Sequence, residues 1–296
     1  MSNLSFGELS VREITINDRD MIKRSGSISF CNFSNIFAWR HAMNYHIADI
    51  HGFPLIVGKY RDDLFTVIPP FYLEDAPSND LFKEVKGKLG VERMKICPLL
   101  GDSLPEIKEA FPEAEIILSR DLSDYFYNTS DLINLSGKRF HQKRNHVNSF
   151  VSKYSYTYVP IDGESAESVA LLRSAYDALY DPESGADLAD EHITINELIE
   201  NFSALGLAAG VIICDGRPIA YSIGEHMSDD TALIHIEKAD KNFSGAFAAI
   251  NKMFAEHEFS DTLFINREED MGLEGLRKAK LSYHPARLGE YYTVII

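Results

Sequence analysis

Short apolar runs and longer amphipathic stretches alternate along the chain, and the changes between them mark the predicted elements. In the first half, helical spacing predicts helices over residues 33–43, near 80–90 and after Ser103, where Glu106 completes a capping box. Apolar runs bounded by turn residues predict strands between these helices. The runs are YHIADIHG, FPLIVGKY, LFTVIPP, RMKICPL, AEIILS and DYFYN.

The second half has a clearer order of elements. A strand, YTYVPI, leads to the helix AESVALLRSAYDAL and to a second helix, INELIENFSAL, which Thr194 and Glu197 are expected to cap. Three strands with short turns follow, in LAAGVIIC, PIAYSIGEHM and TALIHIEKA. The helix GAFAAINKMFAEHE, the strand TLFINRE, the short helix LEGLRKAKL and one long strand, ARLGEYYTVII, complete the chain. This pattern predicts an α+β fold with mixed, mostly antiparallel sheets.

A basic amphipathic helix is predicted over residues 137–154, between the two halves. Its apolar stripe consists of Phe140, Val147, Val151 and Tyr154. Four basic residues lie in its first half: Lys138, Arg139, Lys143 and Arg144. Residues 132–161 contain no acid, although the net charge of the chain is −16. The acidic total disfavours non-specific binding to nucleic acid or to an anionic membrane, whereas this local patch suits a phosphate-bearing ligand.

The composition is that of a soluble globular protein, with 45% hydrophobic and 25% charged residues among 296. This length allows two domains. Three widely spaced cysteines favour a reducing compartment over a disulfide framework. The longest apolar run, LGLAAGVIIC, is shorter than the roughly 20 residues of a membrane span, and the first residues lack the pattern of a secretory signal. We therefore expect a cytoplasmic protein without a membrane span.

Three segments carry a resemblance to a known family: YNTSDLINLSGKRFHQKRNHVNSF, HIEKADKNFSGAFAAIN and NREEDMGLEGLRKAKLSYHP. Together they resemble the family named for the C-terminal domain of phosphatidylglycerol lysyltransferase. Its members are similar to tandem GNAT (acyl-CoA N-acyltransferase) domains and are related to the Fem aminoacyltransferases. The order of elements in the second half is also that of a GNAT domain. The resemblance implies two GNAT-like domains, here residues 1–134 and 135–296, and a soluble acyl- or aminoacyl-transferase.

The same resemblance points to one lysine. The lysyltransferases and Fem enzymes carry a segment of the form Phe-Lys-x-x-Phe-x-Pro, and the corresponding segment here is AKLSYHP, residues 279–285. Ala279 and Tyr283 replace the two phenylalanines, and Lys280 keeps the lysine. By this resemblance, Lys280 would neutralise phosphate charge or the negative charge that develops during acyl transfer.

Helix geometry separately directs Lys280 inward. At 100° per residue, the side chains of Leu273, Leu276, Lys280 and Leu281 lie within one arc, and Lys278 faces away. A buried ammonium group must lose its proton or find an anion. A structural ion pair or a snorkelling lysine is one interpretation, and an anion clamp in an acyl-transfer site is the other.

The loop KNFSGAF, residues 241–247, lies where GNAT enzymes bind a pyrophosphate with main-chain N–H groups at a helix N-terminus. The residues predicted to contact a donor there are Asn242, Ser244, Gly245 and Ala246. The Gln/Arg-x-x-Gly-x-Gly/Ala pattern that is usual in GNAT enzymes is imperfect here, which weakens the expectation of acyl-CoA. A Ser-Gly pair before a helix is also common as a simple cap.

Acyl transfer to an amine needs a base and an acid. Glu237 is the predicted base, with Glu225 as second choice, and Tyr283 is the predicted acid; for each of them a structural role is the more common one. No metal site is expected, because the adjacent acids of residues 268–270 do not converge and complement a helix dipole more simply. His235 is expected to be a hydrogen-bonded strand residue.

Three functions stay open from the sequence. The first is acyl or aminoacyl transfer from acyl-CoA or aminoacyl-tRNA, used as co-substrates without a permanently bound cofactor. The second is a non-catalytic GNAT-fold binding or scaffold protein, and the third is tRNA binding without chemistry. The oligomeric state and the acceptor stay open as well.

Overall fold

The computed structural model describes residues 4–22, 28–61, 63–69, 80–180 and 186–296. The chain divides into two compact units, unit 1 with Met1–Ser123 and Glu290–Ile296, and unit 2 with Asp124–Gly289. Each unit contains one sheet with helices, and most strand pairs in both sheets are antiparallel. The predicted α+β class is therefore confirmed.

Unit 1 is built on a seven-stranded sheet of order β1-β2-β3-β4-β5-β14-β6. Its strands are β1 Arg12–Glu13, β2 His46–Ile50, β3 Phe53–Gly58, β4 Thr66–Ile68, β5 Lys95–Leu99, β6 Glu115–Leu118 and β14 Tyr292–Ile295. Its helices are α1 Phe33–Trp39, α2 Asp80–Leu89 and α3 Leu104–Ala110. The apolar face of α2, with Phe82 and Val85, packs with strand residues such as Val57 and Ile96 in one buried core.

Unit 2 is built on a second seven-stranded sheet, of order β13-β7-β12-β11-β10-β9-β8. Its strands are β7 Tyr125–Asn128, β8 Tyr156–Pro160, β9 Ala208–Cys214, β10 Arg217–His226, β11 Thr231–Ala239, β12 Phe264–Asn266 and β13 Arg287–Leu288. Its helices are α4 Thr129–Asn134, α5 His141–Lys153, α6 Ala166–Leu179, α7 Ala186–Glu200, α8 Phe202–Leu205, α9 Ala246–Glu258 and α10 Glu274–Leu281. Helix α9 contacts β9, β10 and β11 as well as α4 and α5.

The two sheets share one topology. Four antiparallel strands are followed by a parallel step, β4 to β5 in unit 1 and β11 to β12 in unit 2. The next strand in each sheet comes from the other half of the chain: β14 joins unit 1 beside β5, and β7 joins unit 2 beside β12. The compact units therefore differ from the predicted domains 1–134 and 135–296 at both ends, since residues 124–134 lie in unit 2 and the last seven residues lie in unit 1.

Several predicted elements differ from the structure in their bounds. The final strand is two strands in different sheets, because Leu288 pairs with β7 whereas Tyr292 pairs with β5 and β6. Thr194 does not cap a helix: α7 begins eight residues earlier, and the Thr194 hydroxyl donates to the Asp190 carbonyl at 3.0 Å. Ser103 does precede α3 but makes no side-chain cap. Residue 70, at the end of the predicted LFTVIPP strand, lies outside the described residues.

Candidate active site

Two parallel strands of unit 2 separate after a short paired stretch. Residues Thr231 to Leu233 of β11 pair with Phe264 to Asn266 of β12. There β12 ends, whereas β11 continues to Ala239. Beyond this point charged side chains bridge the gap in place of main-chain hydrogen bonds. We name this gap the fork, formed by residues 234–239 of β11 and 267–270 after β12.

A β-bulge on the other side of β11 sets the direction of one fork residue. Ile236 pairs with Ile223 and Ile234 pairs with Gly224, so His235 is the extra residue between them. A glycine is needed at 224, because a Cβ there would lie 2.4 Å from the Leu233 carbonyl oxygen. The bulge therefore turns the His235 ring away from the regular pleat.

The buried His235 ring lies between two carboxylates. Its Nε2 is 3.0 Å from Glu225 Oε1, and its Nδ1 is 3.1 Å from Glu268 Oε1. Burial by itself lowers the pKa of His235, but the hydrogen bonds to the two carboxylates outweigh burial and raise the pKa to about 9. The ring is thus a cation at neutral pH and joins β10, β11 and the segment after β12. This agrees with the expectation of a hydrogen-bonded strand residue.

Glu237 forms a second bridge across the fork. Its Oε1 accepts a hydrogen bond from Arg267 Nη2 at 3.0 Å, and its Oε2 accepts one from Asn251 Nδ2 at 2.9 Å. About 12% of the Glu237 and Arg267 side chains is exposed. Within the described part of the chain, two buried atoms of this cluster have no hydrogen-bond partner, Arg267 Nη1 and Asn251 Oδ1. One is a donor and the other an acceptor, so the cluster has unused capacity of both kinds.

The buried Tyr283 ring extends this cluster toward α5. The guanidinium carbon of Arg267 lies 4.9 Å from the centre of the Tyr283 ring, and Lys143 Nζ lies 3.9 Å from it. Burial raises the pKa of Tyr283, so its hydroxyl stays protonated. Burial, and after it the charge of Arg267, lowers the pKa of Lys143 to about 8. Two cations and one carboxylate thus surround a protonated phenol.

Lys280 is buried, as predicted, with 8% of the residue exposed. Its amine donates to the main-chain carbonyls of Arg267, at 2.6 Å, and of Glu269. The leucines invoked for its direction do not form a buried stripe, because Leu273 and Leu281 are 55% and 44% exposed. Lys280 is the buried residue of α10. The lysine therefore fixes the segment that carries Arg267, and its predicted role as an anion clamp stays a prediction.

Tyr125 of β7 and Arg277 of α10 hold the end of the same segment through Asp270. The buried Asp270 carboxylate accepts hydrogen bonds from the Tyr125 hydroxyl at 2.5 Å and from Arg277 Nε at 2.9 Å. Burial alone would raise the pKa of Asp270, but these hydrogen bonds outweigh it and lower the pKa below the ordinary range. Burial and the nearby acids Glu268 and Asp124 raise the pKa of Glu269 to about 8.

One family model, described as "Phosphatidylglycerol lysyltransferase, C-terminal", matches residues 23–295. The chain belongs to this family. The match includes both sheets except for β1, as well as the fork and the AKLSYHP segment.

Solved structures share the fold of this chain, which we refer to by its lysyltransferase C-terminal family. A conserved protein of unknown function from Bacteroides thetaiotaomicron is 30% identical, with a TM-score of 0.80 over 97% of this chain and 99% of that one. L-PGS from Bacillus licheniformis is 13% identical, with a TM-score of 0.66 over 98% and 93% of the two chains. FemX is 12% identical, with a TM-score of 0.59 over 97% of each chain. The last two likenesses show the fold.

The loop predicted to bind a pyrophosphate, residues 241–247, makes hydrogen bonds to the residue before it. The Asn242 main-chain N–H and side-chain amide both donate to Asp240 Oδ1, at 2.9 and 2.8 Å. Two donors of the loop are therefore taken up by the acid just before it. Gly245 has a φ of +87°, and a Cβ there would lie 2.3 Å from the His146 carbonyl oxygen, so close packing against α5 explains this glycine. A donor-binding role for Asn242, Ser244, Gly245 and Ala246 stays a prediction.

Of the four basic residues predicted to hold a phosphate, Lys143 is the one that reaches the fork cluster. Arg139 Nη2 donates to Asp131 at 2.8 Å, and Arg144 Nη1 donates to the main-chain carbonyl of Gly137 at 3.2 Å. Lys138 is exposed. The structure thus brings Glu237, Tyr283 and Lys143 together and places the other three cations outside the cluster.

Two cluster residues, Arg267 and Asn251, are absent from the sequence-based candidates. The sequence did contain an indication for Asn251, because it is a polar residue close to apolar residues such as Ile250 and Phe254 in a predicted helix. The structure shows that it is buried in α9. Arg267 follows a strand directly, in the segment NREED that the family resemblance had already selected. Its partner Glu237 is 30 residues away, and no local pattern joins the two.

Over the described residues, no group of three or more His, Cys, Asp or Glu side chains could hold a metal ion. Within the same part of the chain, no helix combines the length and apolar character needed to span a bilayer.

Proposed function

We propose that this chain is an aminoacyl- or acyltransferase and that acyl transfer takes place at the fork of unit 2. The family supports a transferase of the lysyltransferase and Fem type. The observation that carries the location is the buried cluster of Glu237, Arg267, Lys143 and Tyr283, in which Arg267 Nη1 and Asn251 Oδ1 are unpaired.

Residues of the cluster and its direct neighbours can supply requirements of acyl transfer. The free N–H of Arg267 can donate to the oxyanion of a tetrahedral intermediate, in a site where little water weakens the interaction. Tyr283, whose hydroxyl stays protonated, can donate a hydrogen bond to the leaving group. Lys280 acts through Arg267 as a positioning residue, since its amine holds the Arg267 carbonyl at 2.6 Å. Asn251 and Glu237 can receive the N–H groups of an amine.

The donor in this proposal is aminoacyl-tRNA or an acyl-CoA, used as a co-substrate. The exposed Lys138 and the basic face of α5 suit its phosphates, because they lie in the acid-free stretch of an otherwise acidic chain. Both donors are cytoplasmic molecules, so the proposal includes a cytoplasmic location. A phosphatidylglycerol acceptor is one option beside a soluble amine.

A transfer assay tests the function. The full chain is incubated with ¹⁴C-aminoacyl-tRNA or ¹⁴C-acetyl-CoA and, as acceptors, an amine pool or phosphatidylglycerol vesicles. We expect label on one acceptor, and we expect Arg267→Met to lower the rate by about 100-fold because the oxyanion donor is lost. Arg93→Met is the matched control, since Arg93 forms an exposed pair with Glu115 in unit 1. An Arg267→Met variant as active as the control would place the reaction elsewhere.

The second candidate is a non-catalytic binding protein, and one observation favours it. The Asp240 carboxylate, just before the loop, accepts hydrogen bonds from the main-chain N–H and the side-chain amide of Asn242, so these two donors are taken up within the protein. This function predicts that aminoacyl-tRNA or an acyl-CoA raises the melting temperature while no label reaches any acceptor.

A further inference from the structure

Glu237, the predicted base, is poorly placed to take a proton. Both of its carboxylate oxygens are hydrogen-bonded, one to Arg267 and the other to Asn251. To accept a proton it would have to give up an ion pair that is about 12% exposed and leave the Arg267 guanidinium without its counter-ion. Another group of the cluster must therefore serve as the base if amines react here.

Lys143 is such a group. Its amine lies 3.9 Å from the centre of the Tyr283 ring, and no ion pair or hydrogen bond holds it within the described residues. The charged and titratable groups that face it from other elements are Glu237 on β11, Arg267 after β12 and Tyr283 after α10. On its own helix, Arg144 donates to main-chain carbonyls, and Arg139, just before α5, is paired with Asp131. The Lys143 amine is free to bind and release a proton.

The surroundings of Lys143 make its neutral form easier to reach than that of an ordinary lysine. Half-burial and the neighbouring Arg267 charge both oppose an ammonium ion, and they outweigh Glu237 to lower the pKa to about 8. An ordinary lysine side chain has a pKa of about 10.4. A base works best when its pKa is close to the working pH, so the same position that leaves the amine unpaired also suits it for proton transfer.

We propose that Lys143 is the general base of the transferase, a role that rests on the proposed function. The acceptor amine attacks the carbonyl carbon of the donor and forms a C–N bond, and its proton passes to the neutral amine of Lys143. The bond from the carbonyl carbon to the ester oxygen or thioester sulfur then breaks. Lys143, now an ammonium group, returns the proton to that leaving oxygen or sulfur. Glu237 orients the acceptor and holds Arg267.

Competitive labelling of the unmodified full chain tests the state of the amine without a known substrate. Trace acetic anhydride is applied between pH 6 and 11, with Nα-acetyl-lysine amide as internal reference, and the extent of acetylation at each lysine is read by peptide mass spectrometry. We expect the labelling midpoint of Lys143 near pH 8, at least one pH unit below the reference. A midpoint equal to the reference overturns the proposal.

Activity tests the role itself. In the transfer assay we expect Lys143→Met and Lys143→Arg to lower kcat by about 100-fold or more, because neither side chain can accept a proton near neutral pH. The arginine variant keeps the positive charge, so it separates proton transfer from charge and packing. We also expect the wild-type rate to rise with pH to a plateau above about 8, and we expect the residual rate of Lys143→Arg to lack this rise.

The outcomes separate the two proposals. An active wild type whose Lys143→Arg variant keeps its rate and its pH profile overturns the role of Lys143 and leaves the proposed function standing. A wild type that transfers no label from either donor overturns the proposed function, and the role of Lys143 falls with it. Circular dichroism and thermal melts of both variants exclude loss of folding as the cause.

Discussion

His235 is a buried cation held by two acids, and its contribution to stability depends on pH. Its pKa is raised in the folded protein from 6.5 to about 9. A group with a raised folded pKa stabilises the fold fully below its unfolded pKa, and this contribution is lost as pH rises through the folded pKa. The free energy of unfolding should therefore fall between about pH 6.5 and pH 9, by up to about 3 kcal/mol from this residue.

Urea unfolding at several pH values and constant ionic strength checks this prediction against His235→Gln, which keeps hydrogen bonding but cannot titrate. Other groups, such as Glu269, also titrate in this range, so the informative quantity is the difference between the two proteins. That difference should shrink as the pH rises toward 9. A constant difference would mean that the ring is neutral in the folded protein.

At the level of single residues, the sequence predicted part of the site. The family motif identified Lys280 and Tyr283, and both are buried. The leucine stripe was the wrong physical reason for the burial of Lys280, because none of its three leucines is buried: Leu273 and Leu281 are exposed and Leu276 is partly exposed. Arg267 and its partner Glu237 meet where the pairing of two parallel strands ends. The spacing of residues along the chain does not show where that pairing ends, so the ion pair could not be predicted.

Helices α5 and α9 approach each other at a glycine, which makes their contact sensitive to one methyl group. Gly245 has a φ of +87°, and a Cβ there would lie 2.3 Å from the His146 carbonyl oxygen and 3.1 Å from Phe150 Cβ. Gly245→Ala should lower the free energy of unfolding by about 2 kcal/mol or more, since it combines a strained backbone with a main-chain clash.

The matched control is Gly275→Ala in α10, where no atom lies within 4 Å of the new Cβ. Alanine is the better helix former, so this change should be neutral or stabilise by up to about 1 kcal/mol. Urea or thermal unfolding of both variants gives the comparison. Equal stability of the two would show that α5 can move away from Gly245 at no cost.

Elements with a strong local pattern were predicted closely, and those decided by distant pairing were not. The predicted helix AESVALLRSAYDAL is α6 without change, and TALIHIEKA is β11. The cap predicted at Thr194 was wrong because α7 already begins at Ala186, so Thr194 lies inside the helix. Its hydroxyl donates a hydrogen bond to the Asp190 carbonyl one turn earlier. The final apolar run looked like one strand, since the pattern cannot show that its two ends join different sheets.

The exchange of β7 and β14 between the halves of the chain decides which fragments can fold. β7 pairs with both β12 and β13, so it lies inside the sheet of unit 2 although it precedes the predicted boundary at 134. A fragment of residues 124–289 should unfold cooperatively, whereas residues 135–289 should not fold, because β12 and β13 lose their shared neighbour.

The two fragments have the same C-terminus and differ only in residues 124–134. Dispersion of amide signals in NMR spectra and the cooperativity of urea unfolding distinguish a folded fragment from an unfolded one. Cooperative unfolding of 135–289 would mean that β7 is dispensable and that the boundary predicted from the sequence is also a physical one.

The position of β14 also has a consequence for biosynthesis. Unit 1 needs Tyr292–Ile295 between β5 and β6, and these residues follow all of unit 2 along the chain. A nascent chain can therefore complete the sheet of unit 1 only after unit 2 has been synthesised. A premature stop codon anywhere in unit 2 would thus also remove a central strand from the sheet of unit 1.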